Sequence, residues 1–229
     1  MNYVDLFPLF LSLKVSFFAT LLCLVFGIPA AWVLARVSFA GSKFVESLIT
    51  LPIFLPPSVM GYYLLIVLGR NGFLGKAINH YFGVNLVFTW QAAVIAAFVM
   101  GAPLLIKSVK TAFEEVDPDI EDAARTLGKS EWQVFSTVTL PLGWRGLVTG
   151  TVMAFARALG DFGATLMVAG NIPQKTQTMS IAIYDAVVSG NTGLANTLVL
   201  VMTISAVLVL VVLYKFADSG PGRRLNARN

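Results

Sequence analysis

Two charged residues, Arg157 and Asp161, lie inside an otherwise apolar stretch of this sequence. They are four positions apart, which places them on one face of a helix. Ionisable groups in such surroundings are costly and usually face a protein interior or an aqueous path. Three interpretations stay open: the two side chains neutralise each other, they lock an interface or gate, or Arg157 binds an anion.

Other chemistry is largely excluded by composition. The sequence has one histidine, His80, and one cysteine, Cys23, which lies in an apolar run. A disulfide framework and a cysteine-ligated metal site both need more than one cysteine. No serine lies in a recognisable arrangement with a base. We therefore predict no catalytic residue, no metal site and no cofactor, and we expect that the protein is not an enzyme.

The composition is that of a membrane protein. Of the 229 residues, 57% are hydrophobic and 12% are charged, with a mean hydropathy of +0.79, whereas soluble domains carry about 25% charged residues. A helix that crosses a bilayer needs about 20 mostly apolar residues. Five segments qualify, which predicts an all-α membrane protein with a single transmembrane domain. They are residues 9–35, 48–69, 88–106, 146–168 and 194–216.

The distribution of Lys and Arg predicts the orientation of these spans. With the N-terminus outside and the C-terminus inside, eleven of the 16 Lys and Arg fall in cytoplasmic segments, as the positive-inside rule requires. The sequence pI of about 9.3 is then a consequence of topology. We therefore expect membrane lipid, and not nucleic acid, around this chain.

The second predicted span contains Pro52, Pro56 and Pro57. Each proline removes a backbone donor and crowds the preceding turn, so the helix should be bent or locally unwound. Broken backbone at membrane depth is tolerated only against protein or a water-filled cavity. Two interpretations stay open: a kinked packing helix, or one that lines a pathway or gate through Pro56 and Pro57.

Residues 179–188 are apolar but too few to cross a bilayer. An interfacial or re-entrant helix fits this length. Such a helix would either help to close the outer mouth of a pore or cap the surface.

The longest polar stretch, residues 108–141, predicts two short helices. Asp117 is a suitable N-cap, Pro118 suits the first helical position, and Gly128 suits the left-handed residue that ends a helix. Ser130 and Gln133 have the spacing of a capping box for the second helix. An amphipathic hairpin on the membrane surface and a partner-binding loop are both compatible with this pattern.

One apolar stripe on the first of these helices is made of small residues at its centre. Ile120, Ala123, Ala124 and Leu127 follow the spacing i, i+3, i+4, i+7. The two alanines would let the backbone of a partner approach closely.

The same loop resembles the "EAA" segment of ABC importer permeases. The resemblance is carried by Asp122-Ala123-Ala124, then Gly128 after three residues, and Leu140-Pro141 at the end. In that family the segment is a coupling helix that docks into a separate ATP-binding subunit. The resemblance thus implies that the ATPase is contacted by Glu121, Asp122, Ala123, Ala124, Leu127 and Gly128. Asp122 stands where the family has Glu, although Glu121 keeps the acidity.

Nearly the whole chain is similar to the molybdate permeases. The matching stretches are residues 51–57, 68–72, 123–128, 155–165 and 170–173, with Asp161 at a position where that family usually has Glu. This resemblance implies a homodimer in the bacterial cytoplasmic membrane, two copies of an ATPase subunit, and a periplasmic or extracellular oxyanion-binding protein. Molybdate is the implied cargo, with tungstate sharing its path, and sulfate or thiosulfate is the alternative. We expect no regulatory domain after the last span.

Two other function classes are less consistent with these features. An intramembrane enzyme needs converging catalytic groups, and Arg157 and Asp161 are the only charged residues near the middle of a span. A passive channel or membrane scaffold has no use for the EAA spacing. Copurification of an ATPase that depends on residues 118–128 would distinguish the importer from both.

Overall fold

The computed structural model describes residues 5–218, and every regular element in this range is a helix. The predicted all-α fold is confirmed. The C-terminal tail after residue 218, for which we expected no regulatory domain, lies outside the described residues. The elements are α1 (Phe7–Arg36), α2 (Ser42–Phe54), α3 (Pro57–Leu68), α4 (Phe73–Phe82), α5 (Trp90–Glu114), α6 (Pro118–Thr126), α7 (Glu131–Val134), a π-helical turn (Phe135–Thr139), α8 (Leu140–Leu142), α9 (Trp144–Leu159), α10 (Gly163–Ala169), α11 (Met179–Val188) and α12 (Thr192–Asp218).

Three of these helices, α1, α5 and α12, are individually long and apolar enough to cross a membrane. Two further pairs qualify only when taken together: α2 with α3, bent by 115°, and α9 with α10, bent by 58°. The first bend falls at Leu55 and Pro56, as the prolines predicted. The second was not predicted, because it falls in the proline-free sequence Gly160-Asp161-Phe162.

Helix α5 is the centre of the molecule and packs against both α1 and α9. Leu105, Val109 and Phe113 on α5 are completely buried. Their spacing of four residues continues the buried face beyond residue 106, where the sequence predicted the end of the span. The helix thus continues to Glu114, past the predicted end of the span, and residues 108–114 of the predicted loop form its last turns.

Small residues allow α5 and α9 to lie unusually close. A Cβ added at Gly150 of α9 would lie 3.1 Å from both the Cα and the carbonyl oxygen of Leu105. A Cβ at Gly101 of α5 would lie 3.1 Å from the carbonyl oxygen of Ala154. Membrane helices associate through this kind of backbone proximity, because lipid gives them no hydrophobic reason to pair.

A second close approach joins the two halves that follow the bends, α3 and α10. A Cβ added at Gly61 of α3 would lie 2.7 Å from the Cβ of Met167 and 2.9 Å from the Cα of Ala164. Since the second of these atoms belongs to the backbone, no side-chain rotation relieves the contact.

We expect Gly61→Ala to separate α3 from α10 and to lower the free energy of unfolding by about 1–3 kcal/mol, the usual cost of overpacking. Thermal unfolding of the detergent-solubilised protein measures the change. Gly193→Ala is the matched control, because a Cβ at this helical glycine comes no closer than 3.9 Å to its neighbours. Equal midpoints for the two variants would contradict the close packing at Gly61.

Candidate functional site

The start of α6 is fixed by the cap that the sequence predicts. The Asp117 carboxylate accepts a hydrogen bond from the backbone N–H of Asp119 at 3.0 Å. Pro118 occupies the first helical position, where an N–H would have no partner within the helix. Local sequence alone is therefore enough to begin the helix here.

The end of α6 is a left-handed turn at Gly128, whose φ is +84°. The N–H of Gly128 donates to the carbonyl of Arg125 at 2.9 Å, and the N–H of Lys129 donates to that of Ala124 at 3.2 Å. This pair of bonds is a Schellman motif, which favours glycine at the left-handed position. The prediction for Gly128 is confirmed.

The second loop helix begins with the predicted capping box, formed by Ser130 and Gln133 in both directions. It then widens into the π-helical turn before continuing as α8. Pro141 explains this widening, because it has no N–H to offer the carbonyl of Thr137 and its ring crowds that carbonyl. A short π segment is the usual accommodation inside an α-helix.

The carboxylate of Glu121 is buried inside the chain, with 2% of the residue exposed. It accepts a hydrogen bond from Arg36 Nη2 at the end of α1, at 2.9 Å, and one from the Thr139 hydroxyl in the π-helical turn, at 2.6 Å. Arg36 Nη2 also donates to the carbonyl of Val116 at 3.1 Å. A buried charge is stable only when it is paired and hydrogen-bonded. This network therefore ties α6 to the first membrane helix.

Aromatic packing holds the second loop helix against α1 and α5. The Phe135 ring lies 5.9 Å from that of Phe113 on α5 and 6.1 Å from that of Trp32 on α1, both edge to face. This geometry is favourable for aromatic pairs. Both loop helices are thus held against α1 and α5.

The burial of Glu121 divides the six predicted ATPase-contacting residues into two groups. Glu121 and Ala124 face the body of the chain. The other four, Asp122, Ala123, Leu127 and Gly128, are exposed. Ile120, on the predicted stripe, is 48% exposed, and Leu127 is 82% exposed. We call the exposed residues Ile120, Ala123 and Leu127 the α6 outer face; it is an apolar surface that the described part of the chain leaves uncovered.

Charged groups around the α6 outer face are paired with one another. Arg125 donates to both carboxylate oxygens of Glu131, at 2.8 and 3.1 Å, and to Asp122 at 2.6 Å. The hydrogen bonds from Arg125 lower the pKa of Glu131. The pair between Arg125 and Glu131 links α6 to the start of α7 on the exposed side of the loop.

A separate ion pair joins α2 to α5. Lys110 donates to Glu46 at 2.8 Å and lies 3.4 Å from Glu114. Because Pro52 is the only buried residue of α2, this pair is one of the few contacts that hold that helix.

The predicted pair of membrane charges does form. Arg157 Nη1 lies 3.2 Å from Asp161 Oδ1. The other carboxylate oxygen accepts from the backbone N–H of Thr165 at 2.9 Å and from its hydroxyl at 2.7 Å. Asp161 thereby satisfies the backbone where α9 breaks before α10. A carboxylate with these partners is a structural acceptor rather than a base.

The two breaks lie against each other. A Cβ added at Gly163, the first residue of α10, would lie 3.2 Å from both Pro57 Cβ and the Ser58 nitrogen. Thus Pro57, one of the gate candidates, lies beside the segment that contains Asp161. Irregular backbone at membrane depth here meets protein, which satisfies the requirement that it should not meet lipid.

Sequence reasoning missed the partners of Glu121 and the second break. Arg36 and Thr139 are 85 and 18 positions from Glu121, and no local pattern connects them. The second break did have a signal, since Gly160 and Gly163 flank Asp161 and glycine weakens a helix. The missed helix α4 also has a glycine, Gly83 with φ +65°, at its end.

Comparisons of this chain with a family model and with individual proteins agree on one family. Residues 24–219 match the model of the family described as "Binding-protein-dependent transport system inner membrane component". The chain is 44% identical over 203 residues to the molybdenum transport system permease protein ModB of Escherichia coli K12, covering 88% of this chain and 89% of that protein. It is 43% identical to the putative molybdenum transport system permease protein YvgM of Bacillus subtilis, covering 89% of each.

A relative with another cargo in its name is less similar. The sulfate transport system permease protein CysT of Escherichia coli K12 is 36% identical over 173 residues, covering 76% of this chain and 62% of that protein. Among solved structures, a chain of the inward-facing MetNI methionine ABC transporter superimposes with a TM-score of 0.71 over 93% of this chain and 94% of that chain, at 18% identity. This last similarity concerns the fold.

We expect Glu121→Gln to destabilise the protein by about 3 kcal/mol, because it leaves the guanidinium of Arg36 without a counter-charge in a largely buried position. Thermal unfolding in detergent measures this loss. Glu131→Gln removes an exposed partner of Arg125 and is the matched control, with little change expected. The role assigned to Glu121 is wrong if both variants unfold at the same temperature.

Proposed function

This chain belongs to the family of binding-protein-dependent transport system inner membrane components, and we propose that the cargo it carries is molybdate. It is a multi-pass membrane permease of an ABC importer, and ATP hydrolysis belongs to a separate subunit. The higher identity to the molybdenum permeases than to the sulfate permease supports molybdate over sulfate or thiosulfate. Tungstate, a nearly isosteric tetrahedral dianion, takes the same path.

Among residues 5–218, the cation near the middle of a predicted span, Arg157, is not free to act as a strong anion site, which fits transport of this kind. A transporter must release its cargo, and a buried unpaired cation would hold a divalent oxyanion. Arg157 is already paired with Asp161, which lowers its attraction for an anion. We therefore assign selectivity to an external binding protein, on which the family depends by its description.

Five spans with the N-terminus outside are the topology we propose. Each bent pair, α2 with α3 and α9 with α10, then counts as one span beside α1, α5 and α12. The loop between α5 and α9 is cytoplasmic in this arrangement, and so are Lys107, Lys110 and Arg145, in agreement with the positive-inside rule.

The α6 outer face is the observation that carries the coupling proposal. It is apolar, exposed and rigidly held from behind by Glu121, so a partner can bind it without first ordering the helix. The partner we assign is the ATP-binding subunit. Two permease chains form a homodimer, and each binds one of two ATPase copies. Glu121 and Ala124 act from behind this surface by positioning it.

ATP drives the cycle through differential affinity. The closed pair of ATPase subunits must bind one arrangement of the two α6 helices more tightly than the other, since a ligand shifts an equilibrium only by its difference in affinity. Because the loop is tied to α1 and α5, a displacement of α6 is passed to the membrane helices.

Ala123→Glu is expected to abolish coupling, because it places a charge in the centre of the α6 outer face. We expect uptake of labelled molybdate to fall to roughly a tenth or less, because a charge buried in this contact should weaken ATPase binding by about 1.4 kcal/mol or more. Thr137→Glu is the matched control, since Thr137 is exposed, lies on the neighbouring helix and already bonds to Lys129. Both variants should insert at wild-type levels. Normal uptake by Ala123→Glu with the ATPase still bound would refute the coupling surface.

Uptake competition tests the cargo. Cells that lack this chain and then regain it should recover molybdate uptake. Unlabelled tungstate should inhibit that uptake at concentrations similar to those of molybdate itself, whereas sulfate and thiosulfate should require far higher concentrations. Recovery of sulfate uptake without molybdate uptake would assign the chain to the alternative cargo.

A further inference from the structure

A groove of about 470 Å³ lies between α5 and α9, at the end of both helices that we place in the cytoplasm. We call it the inner groove. It lies apart from the α6 outer face and from the two membrane breaks. Its polar lining consists of two cations, three hydroxyls and one carboxylate: Lys107, Arg145, Ser108, Thr111, Thr149 and Glu115.

The two cations of the inner groove have no counter-ion. Within residues 5–218, neither Lys107 nor Arg145 forms a salt bridge, whereas Arg36, Lys110, Arg125 and Arg157 are all paired. Glu115 also lines the groove but lies beyond salt-bridge distance of both. The side chains of the groove therefore carry a net positive charge, which attracts anions.

Most of the hydroxyls in the groove are not available to an anion, so the groove should bind anions weakly. Ser108 donates its proton to the carbonyl of Gly146, and Thr149 donates its own to the carbonyl of Arg145, both at 2.9 Å. The Thr111 hydroxyl has no hydrogen-bond partner among the described residues. An anion would thus find two cations and one available hydroxyl, all of them exposed to solvent. Such a site attracts a dianion without holding it.

An unusual surface leads from the inner groove toward the break in α9. The exposed side chains of α9 are Arg145, Thr149, Met153 and Ala156, and spacings of three and four residues align them on one face. In contrast, α12 exposes large aliphatic side chains such as Leu200, Ile204 and Val207. Lipid requires the second kind of surface, while the first suits water or a path through it.

We infer that the inner groove is a weak binding site at the exit of the transport path, where Lys107 and Arg145 bind a divalent tetrahedral oxyanion before it enters the cytoplasm. This inference rests on the proposed function. The two cations, offset in part by Glu115, attract the anion, and solvent exposure keeps the attraction weak enough for release.

Cysteine labelling tests the electrostatic part directly. The variant Thr149→Cys, assembled with its ATPase in nanodiscs of phosphatidylcholine, places a thiol in the groove. Cys23 is buried, and the unsubstituted complex provides the background. Two methanethiosulfonate reagents are compared, one with a negative sulfonate and one with a positive trimethylammonium group. The ratio of the anionic to the cationic reaction rate should be about tenfold higher at the cysteine that replaces Thr149 than for a free thiol in solution, because cationic walls concentrate anions.

The charge variants provide the matched control, since they keep the same cysteine. Lys107→Gln with Arg145→Gln should abolish the preference, and each single substitution should give an intermediate ratio. Millimolar tungstate should slow the anionic reagent in the charged groove and not in the double variant. An unchanged ratio in all the Gln variants, or no effect of tungstate, would overturn the inference.

The phosphate of an anionic lipid has the same chemistry, so lipid composition is varied as well. Phosphatidylglycerol should leave the labelling ratio and the effect of tungstate unchanged. If it suppresses labelling while tungstate does not, the groove is a lipid headgroup site and the inference fails. Uptake competition tests the proposed cargo independently of the groove. If the chain restores no molybdate uptake but tungstate still slows labelling of the groove by the anionic reagent, the cargo assignment is wrong and the groove remains an oxyanion site.

Discussion

The carboxylate of Glu121 joins three elements that are distant in sequence: the end of α1, the start of α6 and the π-helical turn. Its bonds to Arg36 and Thr139, at 2.9 and 2.6 Å, make removal of the charge costly because the guanidinium of Arg36 is largely buried and would lose its counter-charge. The position of the whole loop follows from this pairing. With Glu121 turned inward, the helical period turns Ala123 and Leu127 outward, and the apolar surface is presented in one orientation.

The buried charge of Glu121 in the loop has a counterpart in the helical body, at the break between α9 and α10. Asp161 accepts two hydrogen bonds from Thr165 and pairs with Arg157, so a break in α9–α10 is stabilised without exposing backbone to lipid. The break in α2–α3 has no such charge and depends on prolines and on close contact with α10. The two breaks therefore support each other, and the small residues Gly61 and Gly163 make this contact possible.

Local sequence determined the parts of the structure that depend on few residues. The cap at Asp117, the left-handed Gly128 and the capping box at Ser130 were all predictable, because each needs only neighbours within a few positions. Apolar length also located the helices, although not their ends: Phe113 extends α5 because its burial depends on Phe135, which length does not reveal. The inward orientation of Ala124 was equally hidden, since an alanine stripe has the same appearance whether it faces a partner or the body of the chain.

Helix α5 runs unbroken for 25 residues. It contacts the broken helices along its length, and the α6–α8 loop is fixed to its C-terminal end. At about 1.5 Å per residue it is a rod of roughly 37 Å. A tilt of about 5° about one end would displace the other by roughly 3 Å, by the geometry of such a rod. Since α1 and α9 are both packed along α5, a rotation of a few degrees by the three helices together would move their far ends by about the width of an ion.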